Sequence, residues 1–110
     1  MQMLCEKLTK FSIPAVRVAV SDTLYHDYKM PQVSIAKKLG VAQPAVYKYL
    51  KKRYSERVSV VVDFLKSKGM QEQIVKEVIS GANSSKIQKM VEKLASSNEL
   101  SKYCSPMPKE

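Results

Sequence analysis

The sequence predicts an all-α fold. Apolar residues recur every three to four positions along nearly the whole chain, and no stretch alternates in the manner of a strand. The three glycines each fall where such a helical pattern stops, and two prolines fall where one starts. Glycine just past a helix and proline in its first turn are the natural punctuation of helical segments.

A first helix is expected from Ser12 to Tyr28, with Ile13, Val16, Val20 and Leu24 on one stripe. Ser12 would cap it, and Pro14 fits its first turn, where a missing N–H costs nothing. Its many β-branched residues make this helix dependent on packing more than on propensity. A second, short helix runs from Pro31 to Leu39 and ends at Gly40. A third begins near Gln43, carries Pro44 in its first turn and reaches about Lys52. Ser55–Lys68 places Val58, Val61, Val62 and Leu65 on one face before Gly69. Gln71–Ser80 does the same with Ile74, Val75, Val78 and Ile79 before Gly81. The last helix, capped by Ser84 or Ser85, carries Ile87, Met90, Val91 and Leu94 to about Ser96. Pro106 and Pro108 mark the tail, residues 99–110, as frayed.

The chain has 110 residues, 45% of them hydrophobic, with a formal charge of +9. That size suits one domain, and the surplus charge suits a polyanionic partner, nucleic acid before membrane. The charge is uneven. Ten basic residues stand against three acids up to Arg53, and nine against seven thereafter. Two cysteines at opposite ends, Cys5 and Cys104, exclude a disulfide scaffold and a four-cysteine zinc site; both read as ordinary reduced thiols. One histidine, His26, and no nucleophile motif argue against an enzyme, and no cofactor or metal is expected. No apolar run approaches the ~18 residues of a membrane span. The Met1–Lys10 stretch carries Glu6 and Lys7 where a signal peptide would be apolar. The expectation is a cytoplasmic protein that does not engage a membrane.

The informative stretch is Gln32 to Leu50. Two short helices that cross steeply through a tight turn need a small residue on the first helix, and Ala36 supplies it. The turn needs positive φ, supplied by Gly40. Val41 would plug the corner, Val46 would face back from the second helix, and Ile35, Leu39 and Leu50 would close the core against the first helix.

The pattern Gln32…Ala36…Leu39-Gly40-Val41-x-Gln43-x-Ala45-Val46-x-Lys48 resembles the helix-turn-helix of the lambda Cro and repressor type. The wider stretch from Leu4 to Arg53 also resembles small archaeal predicted transcriptional regulators, through Cys5-Glu6 and Ile13-Pro14-Ala15-Val16-Arg17. The resemblance covers about half the chain. It implies a helix-turn-helix DNA-binding core over residues 1–53, followed by C-terminal helices over 54–98. The expected partner is double-stranded DNA, with the helix from Gln43 in the major groove.

In that arrangement Gln43 would bond adenine in two-point fashion. Lys48 would reach guanine or a phosphate, Tyr47 a thymine methyl or a phosphate, and Pro44 a thymine methyl. Gln32 and Ser34, at the start of the preceding helix, would hold a phosphate. Lys37, Lys38, Lys51, Lys52 and Arg53 would add affinity without sequence preference. Pro44 and Tyr47 stand where the family more often carries small polar residues, so the target sequence is not carried over with the resemblance. Each residue also has a plainer role open to it: Gln43 as a cap, Lys37 and Lys38 as a solvated face, Tyr49 as packing for Leu50.

Two roles are open to the C-terminal helices. They either pair two copies, which suits a motif that reads half-sites roughly 34 Å apart, or cover the first three helices in one core. The first is favoured, because a single helix-turn-helix reads too few bases for tight specific binding; Val60–Phe64, apolar on more than one face, suits a helix buried both within and between subunits. A different class of function is a protein-interaction adaptor or antitoxin-like partner with no sequence-specific DNA binding of its own.

Overall fold

The computed structural model describes residues 12–96. The described chain forms six α-helices: α1 (Ile13–His26), α2 (Gln32–Leu39), α3 (Gln43–Leu50), α4 (Glu56–Lys68), α5 (Glu72–Ile79) and α6 (Ser84–Ala95). Among the described residues there is no strand, and no helix is long and apolar enough to cross a membrane. The expectations for Cys5, Cys104 and the tail lie outside the described residues.

The central element is α1, which packs against each of the other five helices. The expected single stripe understates its burial. Val16, Val20 and Leu24 are buried, and so are Ala15, Val18, Ala19, Ser21 and Thr23. A helix surrounded on most sides needs apolar or small residues around most of its circumference. Ala15 and Ala19 let neighbours come close, and the valines fill the remaining gaps. One hydrophobic cluster draws on all six helices, from Val16 on α1 to Ala95 on α6. The lengths before and after Arg53 therefore share a core.

Helix ends follow their local chemistry. Ser55 is extended, and its hydroxyl accepts from the Val58 N–H, capping α4. At α6 the cap is Asn83, whose side chain accepts from Lys86 N–H at 2.9 Å, in place of the expected Ser84 or Ser85. Ser12 does not cap α1. Its backbone is helical, at φ −74 and ψ −47, whereas a cap needs an extended residue whose side chain turns back on the helix. Its hydroxyl is buried without a hydrogen-bond partner.

Four helices end in one hydrogen-bond pattern, the two crossed bonds that close a helix around a left-handed residue. After α2, Gly40 N–H bonds Lys37 O and Val41 N–H bonds Ala36 O; Gly69 with Met70, and Gly81 with Ala82, repeat this after α4 and α5. After α3, Lys52 N–H bonds Tyr49 O and Arg53 N–H bonds Lys48 O. The left-handed residue there is Lys52, at φ 60.

Candidate nucleic-acid interface

Helices α2 and α3, eight residues each, are joined by Gly40, Val41 and Ala42. They pack on each other and on α1. Gly40 is left-handed, at φ 71. Ile35, Ala36, Leu39 and Val46 are buried, and Val41, Tyr49 and Leu50 pack at the edge of the core. Each residue assigned to the corner from its spacing is therefore turned inward.

The inward set fixes the outward one. With Val46 fully buried, the opposite face of α3 consists of Gln43, Pro44, Tyr47, Lys48 and Lys51, all exposed. These positions are spaced by one, three or four residues, so they form one patch on a 100°-per-residue helix. Tyr47 keeps 42% of its surface exposed, and the Lys51 ammonium lies 5.6 Å from its ring centroid. That distance is within cation–π range and holds a positive charge over the middle of the patch.

Gln43 is not the cap of α3. Ala42 occupies that position and offers no side-chain bond, so the Gln43 amide projects from the first residue of the helix into solvent. Pro44 follows it without an N–H to satisfy. The amino end of α3 thus presents an amide, an apolar ring and a phenol in succession.

The residues expected to meet phosphates divide into three groups. Lys37, Lys51, Lys52 and Arg53 are exposed. Gln32 and Ser34 lie in the first turn of α2, half-buried, where backbone N–H groups have no carbonyl one turn earlier to bond. Lys38 points elsewhere. It is half-buried, and its ammonium donates to the carbonyl of Ala82 at 3.0 Å, binding α2 to the turn between α5 and α6.

That contact belongs to a junction that the sequence pattern did not reveal. Ser84 and Gln88 of α6 lie against Gly40. A Cβ at residue 40 would come within 2.2 Å of the Gln88 amide nitrogen, and Gln88 in turn donates to Ser84 at 2.9 Å. The turn between α2 and α3 is thus braced from behind by α6.

Among the described residues, no group of three His, Cys, Asp or Glu side chains could hold a metal ion. Tyr54, between α3 and α4, has its phenol pKa raised above 10.0 by burial, with the Asp22 carboxylate adding and Lys66 opposing. Asp22 itself bonds Lys66 and lies 3.1 Å from His26.

The chain matches no protein-family model, no curated protein and no solved structure.

Proposed function

We propose that the protein is a sequence-specific, double-stranded DNA-binding transcriptional regulator of the cytoplasm. In this proposal α2, its turn and α3 form a helix-turn-helix of the Cro and repressor type, and α3 enters the major groove. The observation that carries the proposal is the composition of the exposed face of α3. An outward row of Gln43, Pro44, Tyr47 and Lys48, with Lys51 at its end, combines base-reading and phosphate-binding groups on one face of one short helix.

Lys52 adds support. A lysine in the left-handed position costs more than the glycine found at the three equivalent helix ends. Lys29, after α1, is left-handed as well, so the conformation alone does not single out this site; what Lys52 adds is an exposed cation beside α3. Lys37 and Arg53 extend the positive rim. Lys38, engaged with Ala82, is assigned to holding α2 in place. Residues 54–98 pair two copies so that two α3 helices reach successive half-sites.

Selection of bound fragments from random duplex DNA tests the proposal, followed by gel shift at physiological salt. Wild-type protein is expected to enrich a defined sequence. Gln43→Ala should lose preference at one base position while keeping non-specific affinity. Equal affinity for all fragments, or no binding at physiological salt, rejects it.

A further inference from the structure

A cleft of about 560 Å³ opens between the start of α5 and the end of α6. Met70 and Ile74 line one side of it, Met90 and Leu94 the other. Residues 90 and 94 are four apart and share one face of α6. Ile74 is buried, and Met70, Met90 and Leu94 are half-buried, so the hollow has an apolar floor and apolar walls. Two of the four are methionines, whose unbranched thioether side chains adapt their shape to an occupant.

Polar groups are few and stand at the mouth. Gln73 and Lys93 line the cleft with exposed side chains. Among the described lining residues Lys93 alone is charged, and it takes part in none of the ion pairs among the described residues. An apolar hollow with one cation at its edge is the complement of a molecule with an apolar body and one negative end. A polyanion would set its further charges against apolar walls, where they lose hydration without a partner. The volume falls in the range of roughly 300–1,000 Å³ of small-molecule sites. A protein partner would engage a wider surface, of at least ~1,200 Å² in total.

We propose that this cleft binds a small amphiphilic carboxylate of the fatty-acid kind. Its chain lies against Met70, Ile74, Met90 and Leu94, and its carboxylate meets the Lys93 ammonium with the Gln73 amide beside it. The cleft uses the carboxyl-terminal half of α6, whereas Ser84 and Gln88, which brace Gly40, belong to the amino-terminal half. None of its lining residues lies on α3, so the proposal does not depend on DNA contact.

Decanoate is the probe, titrated into the full chain with carbon-13 labels on the methionine methyls. The Met70 and Met90 signals are expected to move saturably at sub-millimolar decanoate. Met30, at the edge of the core and outside the cleft lining, should stay in place. Lys93→Met keeps the aliphatic stem and removes the charge; it should weaken decanoate about tenfold and leave decanol as in wild type. Lys89→Met removes an exposed cation outside the lining and should change neither. Thermal melts check that both variants are folded. Cleft methyls that stay still up to the solubility limit of decanoate overturn the proposal. So does binding of decanol or decyltrimethylammonium as tight as that of decanoate, or a Lys93→Met chain that binds decanoate like wild type. If decanoate moves the two methyls only after residues 97–110 are deleted, the segment that follows Ser96 at the cleft edge is the occupant, and the proposal fails.

Discussion

The side-chain amide of Gln88 on α6 covers Gly40, the left-handed residue between α2 and α3. A glycine that looks like a local device for a turn is thus also the seat of a contact spanning half the chain. Two costs attend any side chain placed there, and they differ in size. The backbone at φ 71 penalises a Cβ by about 1 kcal/mol or more. The clash with Gln88 involves the far end of an exposed, flexible side chain, which can swing aside for the loss of its bond to Ser84.

Gly40→Ala is therefore expected to destabilise the protein by about 1–2 kcal/mol in urea denaturation. Adding Gln88→Ala should recover only a few tenths of that. A double-mutant cycle reads the coupling directly; recovery of most of the loss would show that the clash, and not the backbone, sets the cost.

Lys38→Met keeps the aliphatic stem and removes the ammonium that donates to Ala82. Stability should fall by about 1 kcal/mol, the usual worth of one such bond. Under the proposed function, the dependence of DNA affinity on salt should stay as in wild type. Lys37→Met should show the opposite: unchanged stability, and a salt slope shallower by about one counterion. Parallel melts and salt titrations of the two variants separate the roles of adjacent lysines.

Lys52→Gly relieves the left-handed strain after α3. The variant should be more stable by about 0.5–1 kcal/mol, part of the gain being offset by glycine's greater freedom in the unfolded chain. Under the proposed function its affinity for non-specific duplex should fall, because an exposed cation beside α3 is lost. A stability gain with unchanged affinity would free Lys52 from any part in binding.

Tyr54 makes stability depend on alkaline pH. Its folded pKa is raised, chiefly by burial, so the folded state favours the neutral phenol. The associated stability is present in full below the ordinary value of 10.0 and is lost as pH climbs through the raised one. Tyr54→Phe should unfold less steeply than wild type above about pH 10, with little difference at neutral pH, as followed by circular dichroism.

Much of this organisation is legible along the chain because it is local. A buried Val46 determines which residues of α3 point outward, and helical spacing alone identifies them. Gly40, Gly69 and Gly81 mark helix ends because glycine takes the left-handed conformation cheaply. The same cap after α3 escapes notice because lysine occupies it. Ser12 does not cap α1, and Asn83 caps α6 in place of Ser84 or Ser85, since capping preference says which residues can cap and the path of the backbone says which do. Lys38 is the clearest case of tertiary override. Its neighbours in sequence make it one of a pair of surface cations, while its partner, Ala82, lies 44 residues away. The burial of α1 on nearly every side is likewise a property of five neighbours that no single-helix pattern contains.

That central position of α1 bears on how the molecule unfolds. A helix that every other helix leans on cannot be exposed on one side while the other stays intact, so the chain should melt as one cooperative unit. The amides of Val16 to Leu24 should then exchange with solvent only through global opening. A fragment ending at Arg53 would leave α1 without the cover of α4, α5 and α6. The exposed face of α3 and the helices behind it thus stand or fall together: a ligand that stabilises one end raises the protection of the whole.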